Sequence, residues 1–245
     1  MPVSQKTEAS GPLLDVNGLT LSYGRATVVH SVSMQVYPGQ FAILLGRNGA
    51  GKSTILHAIS GLIPKKGGSV SFLGKDITTD SPRDIVRSGL VQVLERHRVF
   101  TNLTIEDNLL IGTYVHAKGG DRSKLERIYS LFPELASRRN ELAARLSGGQ
   151  QEILAVAQGV ISEPKLFLLD EPSGGLAPIV VDRILEVAAD LCKKGTAVLL
   201  VEQLVDKAMR YADHCYLLST GSLMGQGSPS EIRNSDVLRR CYLGA

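Results

Sequence analysis

The residues best suited to chemistry are Gly46-Arg47-Asn48-Gly49-Ala50-Gly51-Lys52-Ser53, followed by Thr54. They fit the pattern G-x-x-x-x-G-K-[ST]. Glycines let a backbone curl until successive N–H groups converge on phosphate oxygens, and a helix starting there adds its partial positive charge. In such a loop Lys52 reaches the β- and γ-phosphates of a nucleoside triphosphate, and the Ser53 hydroxyl can ligate Mg²⁺. Without ligand, Lys52 is expected to face solvent. A second segment, Leu166-Phe167-Leu168-Leu169-Asp170-Glu171, is an apolar strand that ends in two carboxylates. By itself such a run could be a strand whose acidic end merely meets water. Beside a phosphate loop, Asp170 is suited to hold magnesium, usually through water, and Glu171 to orient or deprotonate an attacking water.

The elements around these segments must place them together. Residues 41–45 form a short, wholly apolar run, as a strand buried on both faces requires, and residues 52–60 read as the helix after the loop, closed by Gly61. Residues 13–22 and 28–36 read as strands, with turns at Tyr23-Gly24 and Pro38-Gly39. Residues 105–162 read mostly as helices, broken at Lys118-Gly119-Gly120 and at Phe132-Pro133. Strand signals return at 166–169 and 197–201, separated by an amphipathic stretch over 179–192. Two short strands at 215–218 and 222–226 flank Thr220-Gly221, and a polar helical tail follows. Strands alternating with helices predict an α/β sheet, with the helical middle inserted into it.

Composition narrows the class. The 245 residues suffice for a core without disulfides or a structural metal. A net charge of +3, with Lys and Arg scattered, gives no argument for nucleic acid. Cys192, Cys215 and Cys241 lack metal-type spacing and, being odd in number, suit free thiols in a reducing compartment. Residues 1–12 are polar and read as a loose tail without a signal core. No apolar stretch approaches the ~20 residues that span a bilayer, so the chain is expected to be soluble and to reach a membrane only through partners.

Between the phosphate loop and the acidic strand end lies Leu146-Ser147-Gly148-Gly149-Gln150, ahead of a helical segment over 151–160. Alone, Ser-Gly-Gly reads as a loop capping a helix. In this context the chain resembles the ATP-binding cassette family, whose signature is LSGGQ, from Leu13 to the C-terminus. The resemblance implies a phosphate-loop NTPase core with an antiparallel β subdomain and a helical subdomain inserted at roughly 96–163, all within 13–245. It also implies ATP and Mg²⁺, and two cassettes facing head to tail. Ser147, Gly148, Gly149 and Gln150 of one cassette would then contact the ATP held by the phosphate loop of the other. Tyr23, in Leu-Ser-Tyr-Gly, matches the residue that stacks on adenine. Gly174-Gly175-Leu176-Ala177 matches the loop that touches the opposite subunit, but its usual Asp is Ala177 here.

Two further departures mark a branch. The magnesium-sensing Gln of the family falls on Glu95, with Gln92 three residues too early, and the switch histidine is replaced by Gln203. Gln can hydrogen-bond a γ-phosphate or a water but carries no proton near neutral pH. Glu95 followed by Arg98-Val99-Phe100, then Val201-Glu202-Gln203, Gly175-Leu176-Ala177-Pro178 and a closing Tyr242-Leu243-Gly244, resembles the second ATPase subunit of branched-chain amino-acid importers. Leu94-Glu95-Arg96-His97 departs from that branch, where Pro-Glu-Gly-Arg is usual. The urea importer's ATPase is similar, and the lipopolysaccharide exporter's shares the Tyr-Leu-Gly ending but keeps the histidine. Soluble cassette ATPases of ribosomes or DNA usually carry two cassettes or a long coiled coil, unlike this chain, and a switch module without hydrolysis would not need Glu171. The branch implies a second ATPase subunit, identical or different, and two transmembrane permease subunits, one of which would place a short helix in the groove beside Glu95. It also implies a periplasmic or extracellular solute-binding protein, and a peripheral place on the cytoplasmic face of the inner membrane.

Overall fold

The strand that leads into the phosphate loop has no polar face because both of its faces are covered. In the computed structural model, which describes residues 11–95, 99–115, 120–236, 238 and 241, this is β3 (Phe41–Leu45), with all five residues buried. Most of the loose tail, Lys118-Gly119, Arg96-His97-Arg98 and Tyr242-Leu243-Gly244 lie outside the described residues.

Before β3, β1 (Leu14–Tyr23) and β2 (Ala26–Val36) pair as an antiparallel hairpin. After it come α1 (Lys52–Ile59), β4 (Gly67–Phe72), β5 (Lys75–Asp76), α2 (Pro82–Ser88) and β6 (Leu90–Val93). The next stretch holds α3 (Ile105–Ile111), α4 (Leu125–Leu131), α5 (Pro133–Ala136) and α6 (Gly148–Val160). The chain then runs through β7 (Leu166–Asp170), α7 (Pro178–Lys193), β8 (Ala197–Glu202), α8 (Val205–Ala208), β9 (His214–Ser219), β10 (Ser222–Gly227) and α9 (Pro229–Arg233).

The main sheet has the order β10-β9-β3-β8-β7-β6, parallel except where β10 closes on β9. A second, antiparallel sheet has the order β2-β1-β4-β5. Side chains of the main sheet alternate between two cores, as the strand period demands. Phe41, Ile43, Leu45, Phe167, Leu169, Val198 and Leu200 pack with the helical layer, including Leu154, Ala157, Ile184 and Leu185. Ala42, Leu44, Leu166, Leu168, Leu199 and Val201 pack instead with α1 and the antiparallel sheet, through Ile55, Ile59, Val16 and Phe72. The predicted α/β fold with a β subdomain and inserted helices is therefore the observed one. β6 and β7, which flank the helical stretch in sequence, are paired neighbours in the sheet, so that stretch is an excursion from it.

The amphipathic stretch forms α7, which buries Val181, Ile184, Leu185, Ala188 and Leu191 at helical spacing. Phe132-Pro133 does break the helical run, separating α4 from α5. Sequence reasoning assigned no strand or helix between Gly61 and Ile105, where β4, β5, α2 and β6 lie. Those strands span two to six residues; β4 and β6 gain their identity from pairing with the distant β1 and β7, and β5 from closing on β4.

Within the helical excursion, α3 is fastened to α6 by close approach. A Cβ on Gly112, at the end of α3, would stand 2.2 Å from the Gln158 carbonyl oxygen of α6. Backbone cannot yield as a flexible side chain can. Gly112→Ala is therefore expected to destabilise the chain by about 1–3 kcal/mol, seen as a lower Tm in thermal unfolding, whereas an unchanged Tm would show that the helices separate freely.

Candidate nucleotide-binding and catalytic site

Parallel register sets the site. Leu45 of β3 pairs with Glu202 of β8, and Asp170 of β7 pairs with Val201, so the three strands end on one edge of the sheet. Ligands of open α/β sheets bind at such carboxyl ends. The phosphate loop leaves from Leu45 and α1 begins at Lys52. Gly46 is packed too tightly for a side chain, since a Cβ there would lie 2.4 Å from the Leu218 carbonyl oxygen. Gly51, the N-cap of α1, has φ 102°, a left-handed conformation suited to glycine. Arg47, Asn48, Gly49 and Ala50 form the turn between, closed by the Ala50 N–H donating to the Arg47 carbonyl at 3.1 Å, and Thr54 follows Ser53 in the first turn of α1.

Lys52 does not face solvent as expected. Only 3% exposed, it donates to the carbonyls of Gly46 at 2.9 Å and Arg47 at 3.1 Å, and pairs with Glu171 Oε1 at 2.9 Å. A buried ammonium needs such partners, because taking it from water unpaired costs several kcal/mol. Lys52 is thus already turned inward, toward the place where phosphates would lie.

Asp170 ends β7 and is buried. Its Oδ1 accepts from Ser53 Oγ at 2.8 Å, while its buried Oδ2 has no hydrogen-bond partner and lies 3.6 Å from His57 Nε2. Burial raises its carboxyl above the ordinary carboxylate pKa; the Ser53 hydrogen bond and His57 oppose this, and the charges of Glu171 and Glu95 add to it. Glu95, two residues beyond β6, therefore belongs to the same electrostatic neighbourhood. An unsatisfied carboxylate oxygen beside a serine hydroxyl, among further carboxylates, suits a hard divalent cation. Among the described residues no cluster of three or more His, Cys, Asp or Glu could hold a metal alone. A cation here fits as one that shares its shell with phosphate and water, which is the habit of Mg²⁺.

Glu171 follows directly and has φ 46°, a left-handed conformation uncommon for a non-glycine residue. Its N–H donates to the Val201 carbonyl at 3.0 Å, its Oε1 faces Lys52, and its Oε2 accepts from Gln203 Nε2 at 2.7 Å. Gln203 stands just past the end of β8. The fold thus brings Lys52, Ser53, Glu95, Asp170, Glu171 and Gln203 into one neighbourhood.

The remaining expected residues lie on other elements. Tyr23 ends β1 with its side chain 54% exposed. Its hairpin abuts the loop, for the Val28 carbonyl oxygen would lie 3.2 Å from a Cβ on Gly51. Ser147 caps α6, accepting from the Gln150 N–H, while Gln150 Oε1 accepts from the Ser147 N–H at 3.1 Å and from Arg138 at 2.9 Å. Ser147 and Gly148 are exposed at the positive end of this helix. No hydrogen bond or ion pair among the described residues joins residues 146–150 to the chain's own phosphate loop. Ala177 is the N-cap of α7 and provides no side-chain cap, the bond an Asp there could make. Sequence reasoning overlooked Glu202 and His57. The face alternation of β8 would have placed Glu202 on the side of Val198 and Leu200, turned inward.

The chain is similar to known proteins along most of its length. The family model described as ABC transporter matches residues 29–174. The chain is 35% identical to the high-affinity branched-chain amino acid transport ATP-binding protein BraG of Pseudomonas aeruginosa, over 95% of this chain and all 100% of that one. It is 30% identical to the corresponding LivG protein of Escherichia coli K12, covering 96% of this chain and 99% of the other. The ADP conformation of MJ1267, an ATP-binding cassette of an ABC transporter, superposes with a TM-score of 0.83 at 25% identity, covering 96% and 100% of the two chains. The chain belongs to the ABC transporter family. It is an ATP-binding subunit that hydrolyses ATP.

Replacing Lys52 tests the loop directly. Lys52→Ala should weaken ATP binding by at least about 10-fold, since a charge-assisted contact is worth ~1.5–3 kcal/mol, while the far-UV spectrum keeps its α/β form. Full affinity in the variant would remove Lys52 from the site.

Proposed function

We propose that this chain powers a membrane importer as one of two cassettes that close over ATP, with branched-chain amino acids as the cargo class. The observation that carries the mechanism is Glu171, held between Lys52 of the phosphate loop and Gln203, one residue past the Asp170–Ser53 pair. When the triphosphate enters, Lys52 exchanges Glu171 and the loop carbonyls for the β- and γ-phosphates. The N–H groups of residues 46–54 cradle the phosphates, and Tyr23 stacks on the adenine. Ser53 and Asp170, with Glu95 beside them, would hold Mg²⁺, which when bound neutralises charge building on the phosphate oxygens. Glu171, released from Lys52, orients and deprotonates the water that attacks in line. Gln203 keeps its neutral amide on that carboxylate or on the γ-phosphate.

A head-to-tail pair completes the site. Ser147, Gly148 and Gly149 of the second cassette donate to the γ-phosphate, and Gln150 fixes their loop through the capping box. Solvent exposure of Ser147 and Gly148 supports this reading. The second cassette is a copy of this chain or a related subunit. Differential affinity for the closed pair lets ATP drive two permease subunits between conformations. An apolar groove of about 270 Å³ near the β6 end, lined by Val91, Leu94, Phe100, Val115 and Ala155, is where a short permease helix would dock. Phe100 there is 53% exposed, a large apolar ring awaiting cover. Residues 13–245 act as one cassette, with roughly 96–163 as the docking subdomain. No described helix is long and apolar enough to cross a membrane, which suits a peripheral subunit on the cytoplasmic face. The names of BraG and LivG support the cargo class, and a periplasmic or extracellular solute-binding protein would deliver it.

Glu171→Gln should keep ATP affinity yet slow turnover on the order of 10²-fold or more, the scale of a lost general base. Trapped nucleotide should also hold two cassettes together in size-exclusion chromatography. Near-normal turnover would move the catalytic role to another group. Gln203→Ala should slow hydrolysis about 10- to 100-fold, as one or two hydrogen bonds worth ~1.4–2.8 kcal/mol at the transition state require. Gln203→His should be tolerated. Rates compared from pH 6 to 8 would expose a bystander if the Ala variant matched wild type.

A further inference from the structure

Glu202 is the one charged residue among the six of β8, and its carboxylate is buried, with the residue 1% exposed. Its neighbours on the same strand face, Val198 and Leu200, fill the helical-side core. An apolar residue would satisfy that position at less cost than a buried carboxylate. The carboxylate instead gathers backbone donors from two loops. Its Oε1 accepts from the Ser173 N–H at 3.1 Å, and its Oε2 accepts from the N–H groups of Gln203 at 2.7 Å and Leu204 at 3.1 Å. Charge-assisted bonds to amides are directional, so three of them fix position rather than merely balance charge.

The two loops matter because of what they carry. Ser173 follows Glu171 and Pro172 and leads into Gly174-Gly175-Leu176-Ala177. Gln203 bears the amide that donates to Glu171 Oε2 at 2.7 Å. The Glu171 N–H is itself anchored on the Val201 carbonyl, and Glu171 sits in a left-handed conformation that surrounding contacts must hold.

We propose that Glu202 is a positioning residue, which locks the loop after Glu171 to the loop after β8 so that Gln203 stays aimed at the Glu171 carboxylate. Among the described residues the Glu202 carboxylate is engaged by backbone N–H groups alone, so it would act through Gln203 and not on the reacting atoms. The inference rests on the roles assigned to Glu171 and Gln203 above. Glu202 would also join the segment matched to the cross-cassette loop to the hydrolytic pair, because Ser173 heads that segment.

The test is ATP hydrolysis by the full chain with Mg²⁺, with ATP affinity and Tm measured alongside. Glu202→Gln has one acceptor oxygen in place of two, so it can keep Ser173 or the Gln203 and Leu204 amides, but not both sets. It should lower kcat about 10-fold or more while KM and ATP affinity stay within about 3-fold. Glu202→Asp is the second variant, for use above all if the first fails to fold. Its shorter carboxylate can serve the Leu204 N–H as an Asx-type contact but falls short of Ser173. It should lower kcat at least about 3-fold, again with unchanged affinity. In a Gln203→Ala background, either change should cost no more than about a further 2-fold, because the group it positions is gone. Normal kcat in both variants, a parallel loss of ATP affinity, or full additivity with Gln203→Ala would each overturn the inference. A Glu171→Gln chain hydrolysing at the normal rate would instead overturn the assignment on which it rests.

Discussion

The parallel hydrogen-bond register of β3, β8 and β7 is the constraint on which the site depends. Leu45 opposite Glu202, and Val201 opposite Asp170, bring three strand ends level at one edge. A slip of one residue would turn every side chain to the other face. Asp170 would then leave Ser53, and Glu202 would leave the loop amides it now holds. The register is itself secured by burial on both faces. Phe41, Ile43 and Leu45 belong to one core and Ala42 and Leu44 to the other, so neither face tolerates an exchange.

Charge then organises what the register has gathered. Asp170, Glu171 and Glu95 share a neighbourhood in which Lys52 is the buried cation, joined to Glu171 at 2.9 Å. The two groups to which phosphate binding and water activation are assigned above are thus paired with each other. In the proposed mechanism one exchange of partners would ready both groups, placing Lys52 on phosphate and freeing Glu171. The excess of carboxylates and the unsatisfied Asp170 Oδ2 leave room for positive charge at the same edge.

Much of this was legible in the sequence because spacing along the chain encodes it. Residues 46–53 are contiguous, Asp170 and Glu171 end an apolar run, and Ser147 with Gln150 has the capping-box interval. The outline of β3, α7 and β8 followed from apolar patterning. Less legible were features created by distant contacts. β4 and β6 are short and are defined by pairing with β1 and β7. Lys52 was expected in solvent because its inward partners, the Gly46 carbonyl and Glu171, come from a loop curl and a remote strand end. Glu202 was overlooked because its amide partners, one of them 29 positions away, are brought around it only by the fold.

In the proposed mechanism nucleotide binding separates Lys52 from Glu171 and leaves Glu171, steadied by Gln203, facing the γ-phosphate. The most direct measurement is a crystal structure of the chain with a non-hydrolysable ATP analogue and Mg²⁺. The expected structure has Lys52 Nζ on the β- and γ-phosphate oxygens, the cation beside Ser53 and Asp170, and Glu171 within hydrogen-bond reach of a water in line with the γ-phosphate. A bound analogue with Lys52 still paired to Glu171, or with Glu171 turned away from the γ-phosphate, would contradict it.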